Sequence, residues 1–443
     1  MGETEDMNEP EGSREYSPPP KTFWKTIAAL GPGIILASSI VGSGELIATT
    51  VVGAKVGFGL LWLILLGCAV KVAVQVEIGR NAITWGRTPL ASFDRVPGPR
   101  LGGRGWIYWC WAVMMILIVV QQGGILAGVG QSLAAAMPVT TAGRVSGELH
   151  AELAAAEVNL ALQKRQGSED WVAAKEKLET LRLQSKQLQF PHDASIYSIL
   201  MALVTGVMLA SGRYGLIEKF SLVLVLAFTV FTFLAVVMLQ FDANWAVTGE
   251  ELVSGLTPSF DGNHGGFSVA LAALGIIGVG AAELMVYPYW CLEKGYGKSV
   301  GSRSLTDGWA RNAKGWMRVM QLDAWTSMVV YTMVTVFFYM LGAATLGRLG
   351  LVPSGNEMVR TLGQMYVPIF GAWVQQVFLL GAFAVLYSTF FVAAAGNSRM
   401  VADGLVLAGL LKGDEDSRRN VVRVTCVVWV LSALAMAFLF RAP

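Results

Sequence analysis

Charge is scarce in this sequence. Only 14% of its 443 residues are Asp, Glu, Lys or Arg, where a soluble domain carries about 25%. With a hydrophobic share of 54% and a mean hydropathy of +0.54, that shortage excludes a soluble enzyme of this size and indicates a polytopic membrane protein. Histidine and cysteine are scarcer still. The three His (His150, His192, His264) fall between apolar stretches and the four Cys (Cys68, Cys110, Cys291, Cys426) inside them. They form no disulfide framework and no CxxC metal knuckle. An enzyme would find no His- or Cys-based constellation here, and no cofactor is implied. The net charge of +2 is too small for a nucleic-acid binder. A basic n-region and small-residue cleavage site are also missing, so the first apolar segment is a retained span.

Apolar runs of roughly 20 residues, enough to cross a bilayer, are present at about 27–52, 57–79, 105–136, 194–212, 218–240, 267–292, 322–347, 367–397 and 421–440. That makes nine spans in an all-α membrane protein. Ahead of them, residues 1–22 hold six acids and Pro18-Pro19-Pro20 and read as a disordered tail. With the N-terminus in the cytoplasm, 21 of the 33 Lys and Arg fall on inside segments. Most of the outside ones sit in one long loop, which the positive-inside rule discounts. The expectation is a multi-pass protein of the cell (inner) membrane. Residues 23–136 form helices one to three, 137–193 an extracytoplasmic insertion, and 194–443 helices four to nine.

The insertion has its own pattern. Leu149, Leu153, Val158 and Leu162 repeat at near-helical spacing, as do Trp171, Leu178, Leu181 and Leu188, with Gly167-Ser168 between the sets. This predicts an antiparallel helical hairpin. Its mixed charges fit a solvated face, and it is also a candidate surface for a partner.

Ionisable residues within spans are costly and are functional candidates by default. Lys71 lies towards the inner end of its span, near Gln75 and Glu77, where snorkelling or a local pair explains it. Glu45 and Glu283 are different. Each closes the same pattern, Val-Gly-small-small-Glu-Leu, as Val41-Gly42-Ser43-Gly44-Glu45-Leu46 and Val279-Gly280-Ala281-Ala282-Glu283-Leu284. Both spans also carry helix breakers: Gly31-Pro32-Gly33 and Gly42/Gly44 in the first, Gly275, Gly278, Gly280 and Pro288 in the sixth. Small residues serve close packing, and buried protonated glutamic acids at helix contacts would account for the rest. Corresponding Gly/Pro-interrupted segments in two halves are also the sequence pointer to a transporter site built from broken helices. Unwound backbone frees carbonyl oxygens, and with two carboxylates these make a cation site. The donors nearby are oxygens: Ser38, Ser39, Ser43, Glu45, Thr49, Glu283 and Tyr287. An oxygen-only set suits Mg²⁺, Ca²⁺ or Mn²⁺ rather than softer metals.

From about Gly31 onward the chain resembles the Nramp divalent-metal transporter superfamily. Gly31-Pro32 opens the first helix as in that family. The family's metal-binding Asp-Pro-Gly-Asn falls on Gly42-Ser43-Gly44-Glu45, and its Met-Pro-His on Tyr287-Pro288-Tyr289. Its Ser-Thr and Gly-Gln of the eighth helix appear as Ser388-Thr389 and Gly396-Asn397, and its basic entry to the ninth as Arg418-Arg419 and Arg423. The resemblance implies a LeuT-type inverted-repeat transporter with broken helices one and six. The thioether and the proton-handling Asp and His are replaced, which is similar to the Nramp-related magnesium transporter branch. The expected metal-site residues are Glu45, Gly42, Ser43, Ser39, Glu283 and Tyr287. The expected cargo is Mg²⁺ or Mn²⁺. The rival readings are a Na⁺-coupled symporter of a small organic solute on the same fold and a membrane receptor using the outer hairpin. The family pattern has ten helices, and Pro443 follows the ninth span closely, so a tenth is expected to be missing.

Overall fold

The computed structural model describes residues 17–42, 44–167, 169–187, 192–211, 214–242, 245–258, 266–301, 303, 306–352, 359, 362–363, 373–411 and 415–439. Ser43, His264 and residues 1–16 of the expected tail lie outside the described residues. The part of the tail that is described is docked. Trp316 Nε1 donates to the Ser17 carbonyl at 2.9 Å, and Pro19 packs over Gly315.

The chain is a bundle of helices. The first span is α1 (Phe23–Ala29), α2 (Pro32–Ile40), a π-helical turn (Gly44–Thr49) and α3 (Thr50–Val56). Then come α4 (Leu61–Trp85), the short α5 (Pro89–Phe93), a two-residue hairpin β1 (Arg100–Leu101) and β2 (Arg104–Gly105), and α6 (Trp106–Ala136). The insertion is α7 (Thr141–Gln166) and α8 (Trp171–Gln187), followed by α9 (Asp193–Ala210) and α10 (Tyr214–Leu239). The second half contains α11 (Gly249–Leu256), α12 (Gly266–Ile276), α13 (Ala281–Glu293), α14 (Tyr296–Val300), α15 (Asp307–Leu341) with a π-helical turn (Gly342–Gly347), α16 (Trp373–Leu407) and α17 (Glu415–Leu439).

Among the described residues six helices are long and apolar enough to cross a membrane: α4, α6, α9, α15 with its π turn, α16 and α17. The first and sixth predicted spans are each split into shorter helices. The first also bends by 51° between α1 and α2. Exposed apolar side chains line the outward faces, as at Val113, Ile116 and Leu117 on α6, Leu203 and Val207 on α9, and Val424, Val428 and Leu431 on α17. In water such a belt would drive aggregation; in a bilayer it faces the solvent it matches. The innermost helix is α16, buried without interruption from Val385 to Met400. Over that stretch it has no outward face, so apolar residues surround it on every side, interrupted by Ser388, Thr389, Asn397, Ser398 and Arg399.

Close packing rests on missing side chains. A Cβ on Gly53 of α3 would strike the Tyr339 carbonyl, and one on Gly342 would strike that of Thr50. The upper half of helix one therefore lies backbone to backbone on the end of α15, as small residues permit in membranes.

The hairpin is rooted in the bundle. Asp193, opening α9, accepts the Val139 N–H at 2.7 Å and the Thr140 hydroxyl at 2.5 Å, and Thr140 in turn caps α7. Leu153, Ala156, Leu178 and Leu181 seal α7 against α8. Arg165 lies 5.5 Å over the ring of Trp245, so the hairpin tip leans onto the segment that precedes α11. That segment is pinned by Glu251, which completes a capping box with Thr248 and pairs with Arg348 at 2.8 Å.

Burial alone would raise the Glu251 carboxyl, but the Thr248 N–H and Arg348 outweigh it and hold it below the ordinary carboxylate value. Its stabilising effect is therefore complete above the ordinary carboxylate range and is lost as pH falls through the lower folded value. The melting temperature of detergent-solubilised Glu251→Gln is expected to lie below wild type at pH 7 and to converge with it in acid. Parallel curves at every pH would contradict this.

Candidate functional site

Two helix breaks face each other. Helix one stops at Ile40, and its C-cap Val41 leaves helical geometry. A Cβ on Gly42 would coincide with the Thr389 hydroxyl of α16, so only glycine lets the two helices meet there. The chain then rewinds through the π turn, which begins at Gly44 and carries Glu45. Helix six stops at Ile276 and resumes at Ala281, with Gly278 between them at φ +74°. That conformation favours glycine.

Breaking a helix inside a membrane leaves backbone groups that need partners, and named side chains supply them. At the start of α2, Asp323 of α15 accepts the Gly31 and Gly33 N–H groups at 2.9 and 2.6 Å. At its end, the Ser388 and Thr389 hydroxyls donate to the Ser38 and Ser39 carbonyls, both at 3.1 Å. The carbonyls expected to be free are thus partly satisfied. At the other break, Gly278 N–H donates to Glu45 Oε1 at 3.1 Å, and Lys71 Nζ donates to the Ile277 carbonyl at 2.6 Å. Thr335 of α15 places its hydroxyl 3.2 Å from the same Glu45 oxygen. Glu45 is 1% exposed.

Glu283 holds the third position of α13, behind the N-cap Gly280, and its carboxyl folds back over Gly280. That is the place where a glutamate caps a helix start, so Glu283 has a structural role as well. Ser39, Glu283 and Asn397 line a small cavity with Leu36, Val286 and Trp290 between α2, α13 and α16. It offers about 10 Å³ for water centres, roughly one water. A wider cavity of about 180 Å³ runs between the π turn, α3 and α12, from Lys55 and Ser268 down to Ile277. Among the described residues no group of three or more His, Cys, Asp and Glu comes together. The donors are two carboxylates with hydroxyl, amide and carbonyl oxygens.

The model of the natural resistance-associated macrophage protein-like (Nramp) family matches residues 184–443. The chain belongs to the Nramp family. No curated protein matches its sequence. Among solved structures, a manganese transporter mutant from Eremococcus coleocola aligns with a TM-score of 0.50 at 13% identity, covering 97% of this chain and 92% of that one. The same transporter with an aromatic bis-isothiourea substituted compound gives 0.47 at 14%, with the same coverage. A nucleobase-cation-symport-1 family transporter with bromovinylhydantoin bound gives 0.47 at 13%, covering 99% and 76%. At these identities the first of them speaks for the fold. This Nramp chain is a multi-pass membrane protein of the LeuT type, with the inverted-repeat arrangement and broken helices one and six. It is a transporter and not an enzyme.

The predicted residues fare unequally. Glu45, Ser39 and Glu283 lie at the facing breaks. Gly42 is there too, with its carbonyl bound to the Leu46 N–H at 2.9 Å. Ser43 is outside the described residues. Tyr287 is directed elsewhere: its hydroxyl donates to Asp323 at 3.0 Å and lies 3.2 Å from the Met320 carbonyl. Tyr287 lies one turn beyond Glu283 on α13, but its ring packs beside Gly79 of α4 and its hydroxyl is held by α15, while Glu283, Val286 and Trp290 line the small cavity. Asp323, Thr335 and the role of Lys71 were not anticipated. Asp323 carried a signal, since it lies just inside a predicted span. Thr335 carried none, because threonine is common in membrane helices.

Replacing Asp323 with Ala orphans two buried N–H groups, each costing about 1–3 kcal/mol, while the Tyr287 hydroxyl keeps the Met320 carbonyl as an acceptor. Thermal unfolding in detergent is expected to show a drop of many degrees for Asp323→Ala and a smaller one for Asp323→Asn. An unchanged melting temperature would refute the capping role.

Proposed function

We propose that this chain carries divalent cations, Mg²⁺ or Mn²⁺, across the membrane by alternating access, with the ion held between broken helices one and six. The observation that carries this is Glu45, a carboxylate buried to 1% exposure on one helix break and bonded to the backbone of the other. A buried acid of this kind is costly, and a transporter that must strip water from a cation has use for it. Glu45 is the main anionic ligand. Glu283 is a second ligand or accepts from the ion's waters, and Ser39 and the Gly42 carbonyl add oxygens. Ser43 is assigned to the same set by its place in the sequence, and Tyr287 supports α13 through Asp323 instead of ligating.

Membership in the Nramp family supports metal transport, and the Eremococcus coleocola protein with this fold is described as a manganese transporter. The donor set lacks His and thiolate, which favours hard cations. For that reason we place the chain with the Nramp-related magnesium transporters. The rival organic solute is disfavoured by family membership, which points to metal transport. The proposed setting is the cell (inner) membrane with the N-terminus in the cytoplasm, and the α7–α8 hairpin is assigned to the opposite side.

In liposomes, Glu45→Gln is expected to lower Mg²⁺ and Mn²⁺ uptake by roughly tenfold or more, as loss of a ligand charge in a low-dielectric site requires, while its melting temperature stays near wild type. Wild-type-like uptake by a folded Glu45→Gln protein would refute the assignment. Competition between the two ions in the wild type gives their order.

A further inference from the structure

Lys71 is the other ionisable group at the breaks, and it does not snorkel. Its ammonium turns inward from α4 onto the Ile277 carbonyl at 2.6 Å. The next atom pair along the chain is the Gly278 N–H, which donates to Glu45 Oε1 at 3.1 Å. The carbonyl of Ile277 and the N–H of Gly278 belong to one peptide group. That group is planar and rigid, with its C=O and N–H pointing in opposite directions. A cation therefore sits on one end of a single peptide dipole and an anion on the other, and each strengthens the bond made at the far end.

The surroundings keep this arrangement in place. Cys68, one turn before Lys71, packs against Gly278, where a Cβ would come within 3.1 Å of its sulfur. The carbonyl Lys71 engages ends the outer half of helix six, and a helix C-terminus favours a cation. Glu45 and Glu283 lie close enough to act on Lys71 electrostatically.

We propose that Lys71 is a tethered counter-ion that stabilises the ion-free carrier by balancing Glu45 through the Ile277–Gly278 peptide. The proposal rests on the reading of Glu45 as an ion ligand. Without cargo, two carboxyls share a low-dielectric site and one ammonium offsets their repulsion. When a divalent cation binds Glu45, the Gly278 N–H meets a cation and must turn away, and Lys71 is left beside a positive charge. Lys71 thus weakens cargo binding and lets the empty site cross the membrane unoccupied. Its role is positioning and electrostatic, since it need not touch the cargo. Because helix six hinges at this peptide, the exchange of partners also links occupancy to movement of the two halves of that helix.

The test uses the full chain with Mn²⁺ as probe. Affinity is measured by calorimetry in detergent. Two fluxes are measured in liposomes: net uptake into metal-free vesicles, and exchange against Mn²⁺ inside. Lys71→Met is expected to bind Mn²⁺ roughly tenfold more tightly, to lose about tenfold in net uptake and to keep exchange within about twofold of wild type. Lys71→Arg, which keeps the charge, is expected to retain near-wild-type affinity and net uptake. A general structural lesion would instead weaken binding and lower both fluxes together. That result, or an unchanged affinity with an unchanged ratio of net uptake to exchange, would overturn the proposal. If Glu45→Gln abolishes Mn²⁺ binding while Lys71→Met behaves as wild type, this inference fails and the site reading stands. If Glu45→Gln binds Mn²⁺ normally, the site reading fails and this inference with it.

Discussion

A chain that interrupts its helices inside a bilayer must find a partner for each backbone group it releases, because lipid offers none. The rest of this structure depends on that constraint. Helix one is held at its start by Asp323, which bonds Gly31 and Gly33, and at its end by Ser388 and Thr389. Helix six is held across its break by Lys71 and Glu45. Asp323 and Thr335 come from α15 and the two hydroxyls from α16, so the long helices serve as a frame for the broken ones. Charged side chains are used where N–H groups are exposed or where two breaks meet. Neutral hydroxyls are enough for single carbonyls.

The same constraint explains how a bundle of this kind can move and stay intact. Bonds that close a break with a side chain can be traded for bonds to an ion without unwinding more helix. The tight backbone contacts at Gly53 and Gly342 join the upper half of helix one to α15, and Arg399 joins α16 to α13 through Glu293 at 2.6 Å. Between these contacts, helices one and six are interrupted at Val41–Gly42 and Ile277–Gly278. The outer segment that bears α11 is clamped separately by Glu251 and Arg348, with the hairpin resting on it through Arg165 and Trp245.

Much of this could be read from the sequence. Apolar runs located the long helices, since a bilayer imposes a length on each. The repeated Val-Gly-small-small-Glu-Leu and the glycines beside it located both breaks, because Gly278 at φ +74° just ahead of the second repeat and Gly42 against Thr389 within the first each leave a mark that few other residues can fill. What could not be read was which groups meet across the bundle. Tyr287 fills a ligand position by register, but its hydroxyl is taken by Asp323 and the Met320 carbonyl of α15, partners that nothing along α13 indicates. The sequence leaves Lys71 to snorkel or to pair locally, since nothing along α4 indicates that a carbonyl 206 positions later lies within reach. Glu283 kept both of its possible roles, because helix capping and ion binding ask for the same residue at the same place.

We propose that the cargo sits at Glu45, where the two breaks meet. Anomalous diffraction from crystals loaded with Mn²⁺ tests it most directly. One strong peak is expected within coordinating distance of the Glu45 carboxylate, with the Gly278 N–H turned away from it. A peak bound elsewhere in the bundle, with Glu45 still bonded to Gly278, would contradict it.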